Sequence, residues 1–280
     1  MNNIKYYLLY GCDVSNQVYD AGDALSYDDR CLRSDTIILI AVNSKTNKAK
    51  IISLLRDICV DVKGHGKCKL NSLIVYFGPR KATKMISKLF KINVTKYIVI
   101  NMENMIKLID SIGGIDLDLS LDEISFINGW SDDTKYVSNY KGNTYQLEKE
   151  GINHLNGLQT LTHARNRWNS HTWARTKKQR NILIAIAKQI KNNTKPNQLV
   201  SLGLSMLKLV KTNLNIIDII KCANLSRKIK IDEIETYSVP SSNTKSIKKD
   251  GMWRFEIDFN DASTFINKVI NEEDVEDFVV

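Results

Sequence analysis

The sequence predicts an α/β protein with helices packed on both faces of a central sheet. Short apolar runs of the kind that form buried strands alternate along the chain with segments whose apolar residues recur at helical spacing. The 280 residues, 43% of them hydrophobic, suffice to bury a sizeable core as one large domain. With only three prolines, no repeat and no low-complexity tract, nothing marks a linker.

The elements follow in order. Tyr6 to Tyr10 is a short apolar strand that delivers Asp13 at its C-terminal end, and a polar loop of roughly twenty residues comes next, long enough to be functional. Thr36 to Val42 and Ala49 to Leu55 read as strands joined by a polar turn at Ser44 to Lys48. In that antiparallel pair the start of one strand lies beside the end of the next, which sets Asp35 next to Arg56. Cys59 and Cys68 flank the turn of a hairpin. Lys81 to Phe90 and Met102 to Ile112 are amphipathic helices around a strand at Tyr97 to Asn101; Gly113 and Gly114 stop the second before a strand at Ile115 to Leu119. Asn156 N-caps a helix with Gln159 three residues on, and that helix carries Arg165 and Arg167 at its C-terminal end. Another helix begins near Thr172, with Leu183, Ile186, Ala187 and Ile190 as its apolar stripe. Helices at Gln198 to Val210 and Ile216 to Ser226, strands at Glu235 to Pro240 and Met252 to Phe259, and a helix at Ala262 to Ile270 complete the chain. Its acidic end reads as a solvated terminus.

The stretch from His163 to Arg180 concentrates the chemistry, with six Arg or Lys among eighteen residues. Two like charges about 6 Å apart cost roughly 3 kcal/mol at an effective dielectric of about 20, so an anion belongs among them. Arg175 and Gln179 stand one turn apart on a helix face, and guanidinium forks converging from two helices suit phosphate or pyrophosphate better than carboxylate. A solvated basic surface is the alternative. Asp13 and Asp35, where strands meet loops, are hard oxygen ligands of the type Mg²⁺ takes together with substrate phosphates; a strand-end Asp also serves as a simple loop cap. Cations and metal-binding acids together point to phosphoryl transfer.

Other classes fit poorly. The four histidines stand in no recognisable relation to a Ser or Cys nucleophile, and neither G-x-S-x-G nor a Walker loop occurs. The excess of 40 basic over 31 acidic residues favours acidic partners, but no nucleic-acid-binding signature accompanies it. Five cysteines lack the C-x₂-C spacing of zinc sites; Cys12 with Cys31 and Cys59 with Cys68 form two local pairs, either disulfides or isolated thiols. The chain has no run of eighteen apolar residues and no signal peptide before Tyr6, an opening expected of a chain from which an N-terminal membrane anchor has been removed.

Four linked stretches carry a resemblance: SDTIILIAVNSKTNKAKIISLLRD, KLNSLIVYFG, INMENMIKLIDSIGGIDLDL, and HLNGLQTLTHARNRW with ARTKKQR. In order and spacing the chain resembles the LytR-CpsA-Psr family from Leu8 to the final helix. The resemblance implies a three-layer α/β/α sandwich with a central mixed sheet, a single catalytic domain over residues 1–280, tethered to the outer face of the bacterial cytoplasmic membrane. It further implies transfer of a glycopolymer (teichoic acid, capsule or another secondary polymer) from a polyprenyl pyrophosphate carrier to peptidoglycan, at the C6 hydroxyl of N-acetylmuramic acid, through a phosphodiester bond. By position, Asp13 and Asp35 match acids associated with Mg²⁺, and Arg33, Arg56, Arg165, Arg167, Arg175 and Gln179 match polar positions that hold pyrophosphate. The resemblance implies that Arg56, Arg165 and Arg175 are the catalytic cations and that Asp57 orients Arg56 or helps deprotonate the acceptor.

Three departures stand out. Leu55 replaces the proline of the family's Ser-x-Pro-Arg-Asp element. Ala174 and Lys178 replace Gly and Arg of its Gly-Arg-Thr-x-Arg-Gln element. No arginine follows Asp13 in Val14, Ser15 and Asn16. A prenyl tail also needs an apolar tunnel between sheet and helices, with candidate walls at Ile38, Ile40, Ile52, Ile98, Ile100 and Leu183. Hydrolysis of polyprenyl pyrophosphate by water, and non-catalytic binding of a lipid phosphate, are the competing functions.

Overall fold

The structure is a computed structural model that describes residues 3–12, 33–130, 145–166, 172–242, 244–249 and 251–272. Its centre is a six-stranded mixed sheet in the order β10-β3-β2-β1-β6-β9. The strands are β1 (Ile4–Cys12), β2 (Ser34–Asn43), β3 (Lys48–Leu54), β6 (Lys96–Asn101), β9 (Lys211–Thr212) and β10 (Glu235–Val239). β1 runs antiparallel to β2 and parallel to β6, and β3 runs antiparallel to β2 and parallel to β10. Three two-stranded antiparallel sheets flank it: β4 (Cys59–Val62) with β5 (Gly66–Lys69), β7 (Ile115–Leu119) with β8 (Gly151–Leu155), and β11 (Ile247–Lys249) with β12 (Met252–Arg254). Eight helices are described: α1 (Leu73–Leu89), α2 (Met102–Ser111), α3 (Leu121–Trp130), α4 (Gly157–Arg165), α5 (Thr172–Asn193), α6 (Leu199–Met206), α7 (Ile216–Ser226) and α8 (Phe259–Ile270).

Strand alternation splits the sheet into two unlike faces. Cross-strand register puts Leu8, Leu39, Ile52 and Tyr97 on one face, and Tyr10, Ile37, Leu54 and Val99 beside them. All are buried in one cluster with Ala82 and Ile86 of α1 and with Ala262, Phe265 and Ile266 of α8. The opposite face carries Tyr7, Leu9, Ile40, Ile98 and Ile100, and all five stay half-buried although β1 lies inside the sheet. Helix α7 reaches this face through Leu225, and Cys222 Sγ lies 3.3 Å from the Tyr7 hydroxyl. Helix α5 reaches it through Arg180. The expected sandwich of helix, mixed sheet and helix is therefore present, with one apolar face closely packed and the other incompletely covered.

Several expectations change. Cys68 pairs with Val60 and Cys59 with Lys69, so the two thiols point to opposite faces of the β4–β5 hairpin and both are free. Cys12 ends β1, and Cys31 lies outside the described residues, as does the acidic stretch after Glu272. Ile52 sits in the packed core rather than on the open face, because it is one residue out of phase with Ile40 and Ile98. On α5 the buried apolar residues are Ile182 and Ala185, one position before the expected stripe. The strand expected at Met252 to Phe259 ends at Arg254, since Asp258 caps α8 by accepting from the Asn260 and Asp261 amides. Helix α1 starts earlier than expected, with a kink at Gly78 (φ +70°) before Pro79.

Candidate functional site

The topology gathers chain ends at one edge of the sheet. β1, β3, β6 and β10 finish there and β2 begins there, the edge where ligands of open α/β sheets bind. After Leu54 the chain stays attached to the sheet through the Leu55 amide, which donates to Val239 O at 2.9 Å. It then turns, and the Asn71 amide donates to Arg56 O at 3.1 Å. The proline expected of the family element would lack the Leu55 donor; here that hydrogen bond and the Asn71 anchor aim Arg56 instead.

Arg56 is the hub of a chain of alternating charges. Its Nη1 lies 2.5 Å from Asp35 Oδ2, as the antiparallel register predicted, and its Nε lies 3.1 Å from Asp57 Oδ2. Lys69, at the end of β5, reaches Asp57 Oδ1 at 2.6 Å, and Arg175 Nη1 stands 3.7 Å from Asp35 Oδ2. The order Lys69, Asp57, Arg56, Asp35, Arg175 thus places three cations against two acids. Burial opposes the charge on Arg56, but Asp35 and Asp57 outweigh it and hold the guanidinium above its ordinary pKa. Arg175 is 6% exposed and held by the first turn of α5. Asp35, Arg56, Arg175, Thr176 and Gln179 line one small cleft that opens to solvent. A net positive cleft lined by two guanidiniums, with hydroxyl and amide side chains beside them, has the chemistry to suit a multiply charged oxyanion.

Not every expected residue joins it. Arg165 lies at the end of α4, with Nη1 2.8 Å from Met102 Sδ, and is not among the cleft's lining residues. Arg33 is exposed on the residue preceding β2. Asp13 and Arg167 fall outside the described residues. Lys178 turns to Glu123 Oε1 at 3.1 Å, with His163 Nδ1 4.0 Å from the same oxygen. Burial drives the His163 pKa down to about 4, so the ring is neutral at physiological pH.

Two residues escaped the sequence reading. Lys69 gave no signal because its partner lies across a hairpin. Arg180, 7% exposed, donates through Nη1 to Ser53 Oγ and Ser238 Oγ at 2.8 Å each, and desolvation lowers its pKa to about 10. It follows Gln179 directly, and its face could have been read from the helical step that carries Thr176 inward.

For a divalent metal, no group of three or more His, Cys, Asp or Glu converges among the described residues. Mg²⁺ needs fewer, because it takes one or two carboxylates together with substrate phosphates. Asp35, facing the cleft beside two guanidiniums, is a donor of that kind.

The chain is similar to known proteins in sequence and in fold. The family model described as "LytR_cpsA_psr family" matches residues 3–271. Biofilm regulatory protein A of Streptococcus mutans is 28% identical over 172 residues, covering 56% of this chain and 38% of its own length. The Bacillus cereus protein named polyisoprenyl-teichoic acid–peptidoglycan teichoic acid transferase TagU is 26% identical over 234 residues, 80% of this chain and 68% of that protein. The solved structure of the LytR-CPS2A-psr family protein YwtF (TagT) with bound octaprenyl pyrophosphate lipid superposes with a TM-score of 0.68 at 20% identity. It covers 96% of this chain and 90% of that one. At that identity the superposition speaks for the fold.

Proposed function

The chain belongs to the LytR_cpsA_psr family, and we propose that it is a phosphotransferase that moves a glycopolymer from a polyprenyl pyrophosphate carrier to peptidoglycan, forming a phosphodiester bond. One observation carries this reading: the cleft lined by Arg56 and Arg175 lies at the edge of a sheet whose neighbouring face leaves Leu9, Ile40, Ile98 and Ile100 half-buried. The polar lining of the cleft, with Arg56, Arg175, Thr176 and Gln179, suits a pyrophosphate group rather than a prenyl chain. The incompletely covered apolar face offers the tail a place, with Leu183 of α5 also half-buried.

In the proposed reaction Arg56 and Arg175 grip the pyrophosphate, with Gln179 donating from the next turn of α5. A peptidoglycan sugar hydroxyl attacks the phosphorus that bears the polymer. The bond from that phosphorus to the bridging oxygen breaks, and polyprenyl phosphate leaves. Charge developing on the departing phosphate meets guanidiniums already in place, so the chain contributes positioning and electrostatics. Both oxygens of Asp57 already face cations, which suits holding Arg56 in aim more than accepting the hydroxyl proton. Asp35, with Asp13, would hold Mg²⁺, which when bound neutralises phosphate charge. Arg33, Arg165 and Arg167 are proposed to contact the pyrophosphate or the polymer beyond it. The proposed place of reaction is the outer face of the bacterial cytoplasmic membrane, a reading supported by the peptidoglycan and teichoic acid in a relative's name.

The test supplies purified protein with a lipid-linked donor, with and without a glycan acceptor. Polymer joined to glycan and released polyprenyl phosphate are expected, with Arg56→Ala and Arg175→Ala each at least about 100-fold slower, the loss typical of removing one charge-stabilising donor. Undiminished turnover in those variants refutes the assignment, and release of polymer phosphate that ignores the acceptor identifies a hydrolase instead.

A further inference from the structure

We propose that the outward face of helix α7 docks on an anionic lipid surface. Ile216 and Ile217 are each 60% exposed and Ile220 is 41% exposed, three branched apolar side chains within a turn and a half. Helical spacing puts Ile217 and Lys221 on one stripe, at i and i+4, and Ile216 and Ile220 on the stripe beside it, while Arg227 and Lys228 follow directly after the last residue of the helix. All six are exposed. The inward face is fixed by Ile219, whose Cγ2 lies 2.6 Å from where a Cβ on Gly203 of α6 would stand, so α6 and α7 pack closely. Helix α6 buries none of its own residues.

Charge identifies the occupant. Residues 195–230 hold seven Lys or Arg and one acid, Asp218, which is engaged by Lys96 at 2.6 Å; of the seven, Lys230 pairs with Glu233 at 2.8 Å. The face is therefore apolar at the start of α7 and cationic toward its end. A bilayer with anionic headgroups accommodates both parts, with isoleucines in the acyl boundary and Lys and Arg at the headgroups. A helix with this pattern lies in the interface plane rather than across it, and no described helix is long and apolar enough to cross a membrane.

The test is co-sedimentation of the 280-residue chain with vesicles of phosphatidylcholine alone or mixed with phosphatidylglycerol. Neither contains a pyrophosphate lipid, so the outcome is independent of the transfer reaction. The chain is expected to bind only the anionic vesicles, less as salt rises. A Lys221→Gln, Arg227→Gln, Lys228→Gln triple variant is expected to bind at least about tenfold more weakly, since each cation near an anionic surface contributes roughly fivefold. An Ile216→Ser, Ile217→Ser, Ile220→Ser variant should lose as much, and both should melt with the parent because the positions are exposed. Equal binding to both vesicle types, no binding, or binding unaffected by either triple overturns the proposal. So does isoleucine-dependent self-association in sedimentation velocity, which would mark a protein interface.

Discussion

Replacing Asp35 by Asn separates two roles that this carboxylate combines. It stands 2.5 Å from Arg56 and 3.7 Å from Arg175, so it neutralises the same guanidiniums that an incoming pyrophosphate must recruit. A unit charge about 6 Å from a bound phosphate is worth roughly 3 kcal/mol at an effective dielectric of about 20. With Asp35 at 19% exposure, solvent screening reduces that by about half, which leaves about a tenfold effect. Asp35→Asn should therefore bind inorganic pyrophosphate about tenfold more tightly than the parent when magnesium is chelated. The same variant should lose most of the affinity that magnesium adds. Stability should fall by about 2 kcal/mol, between the values for exposed and buried ion pairs. Isothermal titration with and without magnesium, paired with a thermal melt, reads all three. Unchanged affinity for the bare anion, or an undiminished benefit from magnesium, would refute a carboxylate shared between cations and metal.

Two further outcomes follow from packing and protonation. Gly157→Ala puts a Cβ 2.4 Å from Ile106 O beneath the start of α4, so urea denaturation should show a loss of about 2–3 kcal/mol; a loss under 0.5 kcal/mol would mean that α2 and α4 are not in such close contact. Because burial holds the His163 pKa near 4, the unfolded chain binds more protons than the folded one between pH 6.5 and 4, and stability falls as pH falls through that window. The contribution is at most about 3 kcal/mol, and His163→Gln should flatten that part of the acid slope in denaturation measured at neutral pH and near pH 4; an unaltered slope would show the ring to be solvated.

Much of this was legible because local rules and tertiary context agreed. The Asn156 and Gln159 capping box forms with both reciprocal bonds, at 2.9 and 3.0 Å. The pairing of Asp35 with Arg56 follows from strand direction alone. Where local signal was weak the reading failed. Between Leu121 and Gly129, helix α3 buries Ile124 and Ile127 alone, too few for a clear stripe. β8 exposes Ile152, 74% accessible, against the alternation expected of a strand. The first half of α1 is rich in branched and aromatic residues that suggest a strand, and its kink at Gly78 hides the continuity. Arg180 illustrates a different obstacle: the helical step from Thr176 gives its inward face, but nothing in a basic run names the two serines, on neighbouring strands, that it meets there.

The central claim joins a cationic cleft to an apolar face, and affinity as a function of prenyl length tests that union directly. Inorganic pyrophosphate and prenyl pyrophosphates of increasing length should bind with falling Kd, each buried methylene contributing about 0.8 kcal/mol until the half-buried face around Leu9, Ile98 and Ile100 is covered. Tryptophan at Ile100 should shorten that series without weakening inorganic pyrophosphate. A Kd that is the same for the bare anion and the longest lipid would contradict the assignment, because it would leave the open apolar face without a tail to hold.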